Sequence, residues 1–140
     1  MIFGIGVDIV QINRMERWLK NRALLERYFH GDELALVALR ESPQTCDEES
    51  ARLETAKAGA AQTLAARFAA KEAFGKALGT GLARIALKDI IVYNDDNGKP
   101  EIKLTGTALE ALEKSGAAKT HLSLSHEKEN AIAMVVIERV

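Results

Sequence analysis

Asp8 stands inside the run Ile2 to Val10, where Phe3, Ile5, Val7 and Ile9 alternate with Gly4, Gly6, Asp8 and Val10. A period of two reads as a strand, here with one greasy face and one face of two glycines, a carboxylate and a valine. A carboxylate in mid-strand is disfavoured unless it is exposed or partnered. Glycines beside it would let bulky ligand groups approach closely. Glu72 and Lys76 lie one turn apart in an Ala-rich stretch. Glu72 falls about 40° around the helix from Phe68, at the border of a stripe formed by Leu64, Phe68, Phe74 and Leu78. Such a Glu–Lys pair is most often a surface pair worth about 0.3 kcal/mol. Lys71, however, puts a further charge on or near the buried stripe, which a purely structural helix does not need. His126 ends the alternating run Leu122-Ser123-Leu124-Ser125 and opens the polar turn Glu127 to Asn130. An acidic pair from two elements, with a lysine and a histidine, offers hard oxygen ligands and nearby cations. That set suits a magnesium ion bridging to a phosphate ester. The structural alternative is that Asp8 and Glu72 pair with buried cations such as Lys71 or Arg67.

The elements that must position these groups follow from the pattern. Asn13, with Glu16 three residues on, is the expected cap of a helix through Met15, Trp18 and Leu19. A helical stretch from Arg22 to Phe29 is broken by His30-Gly31-Asp32, and Asp32 is the expected cap of a second short helix through Arg40. Ser42 to Ser50 is polar, contains a proline and reads as a loop. Ala51 to Leu78 is predicted to be a long helix, with Gly59 as a candidate interruption and Gly79-Thr80-Gly81 as its end. Ile90 to Tyr93 and Glu101 to Leu104 flank Asp95-Asp96-Asn97-Gly98, a hairpin signal. Thr105 or Thr107 opens another short helix, with Leu109 and Leu112 expected inward, that stops at Ser115-Gly116. His121 to His126 and Ala131 to Val140 are the final strands, the last apolar on both faces. Strand, helices, then strands predict an α+β fold, an antiparallel sheet packed with helices.

Composition narrows the function. With 140 residues the chain is read as a single domain, 1–140, large enough for its own core. Its one cysteine, Cys46, excludes an internal disulfide framework and a Cys-based zinc site, and agrees with a reducing compartment. Nineteen Lys and Arg against twenty Asp and Glu argue against a dedicated nucleic-acid binder. No apolar run is long enough for a membrane span, and the N-terminal run lacks the basic region of a signal peptide. A cytosolic, globular protein is expected. Gly4-Ile5-Gly6 has Ile9 where a dinucleotide fingerprint wants a third glycine, and Gly75-Lys76 lacks the rest of a phosphate loop. The Gly98 turn does not fit a calcium loop, and Ser125 lacks the setting of a nucleophilic serine.

Three runs then resemble a known family, the holo-[acyl-carrier-protein] synthases. Gly4-Ile5-Gly6-Val7-Asp8-Ile9-Val10, followed by Arg14, resembles its opening strand. Arg67-Phe68-Ala69-Ala70-Lys71-Glu72-Ala73-Phe74-Gly75-Lys76-Ala77-Leu78-Gly79-Thr80-Gly81 resembles its central signature. Leu122 to His126, followed by Ala131-Ile132-Ala133, resembles its C-terminal motif. The three occur in the family's order and span nearly the whole chain, while the stretch between Arg40 and Leu64 is longer than is usual there.

The resemblance implies a 4′-phosphopantetheinyl transferase-like fold. It also implies an enzyme of fatty acid biosynthesis that moves the phosphopantetheine arm of coenzyme A onto a serine of apo acyl carrier protein, releasing adenosine 3′,5′-bisphosphate. By position it implies Asp8 and Glu72 as magnesium ligands, Lys76 at the coenzyme A phosphates and His126 as another coenzyme A contact. Asp8, Glu72 and Lys76 are then the catalytic set, in a cytoplasmic homotrimer with active sites at subunit boundaries. The serine proton has two candidate acceptors, a metal-held water or one of the carboxylates, and both stay open. Carrier proteins are acidic and this chain is near neutral, so docking needs a local basic patch, for which Arg14, Arg17 and Arg22 are the candidates. The alternative from another class is a non-catalytic phosphate- or nucleotide-binding module, oligomeric through exposed strands.

Overall fold

The computed structural model describes residues 1–40 and 49–140, without the side chains of 38–40, 49–52 and 54. In chain order the elements are β1 (Ile2–Gln11), α1 (Ile12–Trp18), α2 (Arg22–Tyr28), α3 (Gly31–Arg40) and α4 (Glu49–Leu78). A 3₁₀ turn at Leu87–Asp89 follows, then β2 (Ile90–Asn94), β3 (Pro100–Leu104), α5 (Gly106–Lys114), β4 (Lys119–His126) and β5 (Asn130–Glu138). An antiparallel sheet runs in the order β1-β5-β4, and β2 and β3 form a separate antiparallel hairpin. This is the α+β arrangement predicted from the pattern. No helix among the described residues is long and apolar enough to cross a membrane.

The 30-residue α4 organises the core. From Ala60 to Leu78 only Gln62, Thr63, Glu72 and Lys76 are not buried. A helix covered on all sides in this way must be sandwiched. The sheet lies on one flank of α4, while α3, the 3₁₀ turn and β2 meet Lys71 on the other. Gly59 does not interrupt α4, because nothing opposes a continuous helix there, and Gly79, at φ 82°, ends it as predicted.

Several expectations change at the element ends. The cap of α1 is Gln11, not Asn13, because the chain passes straight from β1 into the helix and the Ile12 amide donates to Glu129 O. Asp32 lies inside the first turn of α3 rather than capping it. His30 Nδ1 accepts from the Asp32 amide and Glu33 Oε1 accepts from the His30 amide, a reciprocal cap. Leu109 points outward, since Ala108 and Leu112 carry the inner stripe of α5. The expected loop from Ser42 lies outside the described residues up to position 48, and Glu49 and Ser50 already belong to α4.

The largest departure is the orientation of β1. Its glycine face turns inward, and α4 occupies the space that the sequence left open for a ligand. Ile5, Val7 and Ile9 point outward at 59%, 51% and 62% exposure. They pair across the ladder with Val136, Met134 and Ile132, so β1 and β5 present one continuous apolar outer face. The other face of β5, Ala131, Ala133, Val135 and Ile137, is buried.

Candidate functional site

The site is assembled where β1 and α4 touch. A Cβ on Gly6 would lie 2.6 Å from the Ala77 nitrogen and closer still to the Ala73 carbonyl oxygen, and one on Gly4 would meet Ala77 O. Only glycine admits the helix backbone to that depth. The approach brings the next inward residue of β1, Asp8, beside the Glu72–Lys76 turn of α4. Lys76 Nζ donates to Asp8 Oδ1 at 2.8 Å and to Val7 O at 2.9 Å. Asp8 is largely covered while Lys76 is half exposed.

Glu72 is half-buried and has no hydrogen-bond partner among the described residues. Burial pushes its carboxyl above the usual range and the Asp8 carboxylate adds to this, while Lys76 and Arg14 oppose it. Two carboxylates and two cations therefore share one electrostatic field. Arg14 is exposed on α1, its guanidinium 5.2 Å from the Trp18 ring and 5.1 Å from the Phe68 ring. Arg17 is exposed on α1, and Arg22 on α2 pairs with Glu26 at 2.9 Å.

His126 is not brought to this group. It ends β4 opposite Ala131 of β5, with β5 between it and β1. That puts it about 10 Å from β1 across the sheet.

Lys71 and Arg67 do not pair with Asp8 or Glu72. Lys71 is fully buried and donates to Glu33 Oε1 at 2.7 Å, to Leu87 O at 3.0 Å and to Ile90 O. Burial lowers its ammonium below the ordinary lysine range, and Glu33 works in the opposite direction. Arg67 Nε donates to Val92 O at 3.3 Å, and Glu33 Oε2 accepts from the Val92 amide. These charged side chains satisfy the backbone edge of β2 that β3 leaves open, where a third strand would otherwise bond. Glu33, the hub of that network, was missed from the sequence. The signal available was its place three residues after His30, the spacing of a reciprocal cap.

Among the described residues no three His, Cys, Asp or Glu side chains cluster as a metal site. A two-carboxylate donor set still fits magnesium, which takes one or two carboxylates and completes its shell with water and substrate phosphate. The mutual repulsion of Asp8 and Glu72 is what a bound cation would relieve.

Residues 4–135 match the model of the 4′-phosphopantetheinyl transferase superfamily. The holo-[acyl-carrier-protein] synthase of Treponema denticola is 52% identical over 138 residues, covering 99% of each chain. The crystal structure of the Neisseria meningitidis holo-[acyl-carrier-protein] synthase superposes with a TM-score of 0.79 at 33% identity, covering 99% of this chain and 100% of that one. A Bacillus anthracis holo-(acyl-carrier-protein) synthase, solved in complex with CoA (3′,5′-ADP), gives a TM-score of 0.73 at 34% identity, covering 100% of this chain and 99% of that one.

Proposed function

The chain belongs to the 4′-phosphopantetheinyl transferase superfamily, among its holo-[acyl-carrier-protein] synthases, and from that premise we propose how its residues carry out the transfer. The activity is transfer of phosphopantetheine from coenzyme A to acyl carrier protein. In our reading the acceptor is a serine hydroxyl of the apo carrier protein, which forms the new bond to phosphorus as adenosine 3′,5′-bisphosphate leaves. Phosphoryl transfer is mainly positioning and charge stabilisation.

Asp8 and Glu72 would hold magnesium, which when bound neutralises charge on the pyrophosphate of coenzyme A. Lys76, half exposed and beside Asp8, has the reach to neutralise charge gathering on the phosphate oxygens. Arg14, Arg17 and Arg22 supply the basic surface for an acidic carrier protein. The observation that carries this reading is the 2.8 Å bridge from Lys76 to Asp8 with Glu72 in the same field, joining two separate sequence runs at one point.

The reading extends to assembly. A single domain over 1–140 forms a homotrimer through the outer face of Ile5, Val7, Ile9, Ile132 and Met134, which is too large and continuous to stay wet. Asp8 lies between Val7 and Ile9 in β1 with its side chain on the inner face, so a subunit covering the outer face lies across this one strand from the site. This supports a neighbour's His126 as the coenzyme A contact. The reaction is a cytoplasmic step of fatty acid biosynthesis.

The test is intact-mass analysis of apo carrier protein after incubation with the protein, coenzyme A and magnesium. Addition of one phosphopantetheine group, dependent on magnesium, is expected. An unmodified carrier protein at high enzyme concentration would refute the reading.

A further inference from the structure

The sheet-facing side of α4 is smooth. Ala73 and Ala77 meet β1 at Gly6 and Gly4, and Ala66 and Ala69, also buried, lie on the same side of the helix at about 100° per residue. Methyl groups against glycines give close contact but few protrusions, so a small rotation or slide of α4 loses little packing there. The bonds of Lys76 to Asp8 and Val7 O also join α4 to β1, but from a half-exposed, flexible side chain. At about 100° per residue the opposite side carries larger buried apolar groups, Leu64, Phe68 and Leu78, whose burial is non-directional. At the centre of that side lies Lys71. All three donors of its ammonium are used, on Glu33 of α3, on Leu87 O of the 3₁₀ turn and on Ile90 O of β2. Glu33 is itself held from other directions, by the His30 and Val92 amides. The next residue along the helix is Glu72, and Lys76 follows one turn later.

A buried ion pair is a weak source of stability, because apolar replacements of similar volume are often neutral or better; its best-attested use is to fix register. We propose that Lys71 is a positioning residue: its bonds to Glu33, Leu87 O and Ile90 O set the rotation and height of α4, and thereby hold Glu72 and Lys76 opposite Asp8. The inference rests on the function proposed above.

The test is the double variant Glu33→Gln/Lys71→Met. It removes both charges and keeps the side-chain volumes. The Gln oxygen can accept from one of the two backbone amides that Glu33 serves, and its NH₂ supplies a donor for the carbonyls that Lys71 gives up. The readouts are the melting temperature, the transfer rate, KM for carrier protein, and the magnesium concentration giving half of the metal-induced thermal shift. The expected outcome is a melting temperature within about 5 °C of wild type and a transfer rate lowered about 100-fold. KM for carrier protein stays within about twofold, and the magnesium midpoint rises about tenfold as the two carboxylates lose alignment. A double variant that melts like wild type, with its rate and magnesium midpoint within about twofold, would overturn the proposal by making the network purely structural. If the double variant does not fold, Glu33→Asp takes its place. It keeps the pair but shortens the reach by about 1.5 Å, and the same two outcomes decide. Wild-type protein that transfers nothing sinks the function itself, so the two failures are distinguishable.

Discussion

Gly6→Ala is the sharpest test of how β1 and α4 build the site. The added methyl would lie 2.6 Å from the Ala77 nitrogen and nearer still to the Ala73 carbonyl oxygen. Ordinary carbon–oxygen contact is about 3.4 Å, so strand and helix must part by about 1 Å. Both obstructing atoms are backbone, inside a helix buried on all sides, so no side chain can swing away. A gap of that size forfeits up to about half of the dispersion energy of each contact it opens. The cost therefore belongs at the upper end of the overpacking range, about 3 kcal/mol. The same displacement separates Asp8 from Glu72 and Lys76, and a misplacement of about 1 Å lowers turnover about 100-fold. Urea unfolding and carrier-protein modification, measured on one preparation, read both effects. An unchanged midpoint with full turnover would show that the glycines are not what sets the approach.

Gly59→Ala is the matched control, since nothing lies near its missing Cβ within α4. It should stabilise by about 0.5–1 kcal/mol in the same urea titration. Glu33→Ala leaves the Lys71 ammonium buried without its counter-charge and should cost about 3–5 kcal/mol, seen as a lowered unfolding midpoint. Arg14→Ala removes an exposed guanidinium stacked on Trp18 and Phe68. The fold should survive and KM for carrier protein should rise more than KM for coenzyme A; equal effects would count against docking. Glu72 binds its proton more tightly in the folded state than in the unfolded chain, so its contribution favours the fold at pH below its folded value and is lost as pH rises through it. Metal-free melting curves should therefore lose a small acid-side increment in Glu72→Gln. A pH profile identical to wild type would remove Glu72 as its source.

Much of this was legible in the sequence because local pattern and tertiary role agreed. The alternation of β1 and β5, the Gly98 hairpin and the Gly79 stop each act over a few residues. The side of β1 that faces inward was not legible. Hydrophobic periodicity marks Phe3, Ile5, Val7 and Ile9 as a greasy face, which ordinarily turns to the core. Here the core is α4, which needs glycines to come close; Ile5, Val7 and Ile9 are left outside, while Phe3, at the irregularity of β1, packs against the core. Asp8 stands out as a carboxylate in mid-strand and Glu72 as a charge at the border of an apolar stripe. Lys76 by spacing alone reads as a surface partner of Glu72 and takes a role only from the family resemblance; the three converge. His126 reads from its pattern only as a histidine at a strand end and takes its role from the resemblance; it stands across the sheet, since a strand end carries no information about its neighbours. Lys71 was flagged as odd, but its partner Glu33 lies in another helix and bonds β2 backbone, a pairing that no spacing rule announces.

The central claim is that Asp8 and Glu72 act together as a metal-holding pair, and Glu72→Gln beside Asp8→Asn tests it most directly. Each variant is assayed for carrier-protein modification by intact mass, and melted with and without magnesium and coenzyme A. Asp8 gives up an ion pair to Lys76 and Glu72 gives up none, so Glu72→Gln should melt at or slightly above wild type without metal, and Asp8→Asn at most slightly below. Both should lose transfer and the magnesium-dependent rise in melting temperature. Transfer at the wild-type rate in either variant would contradict the account.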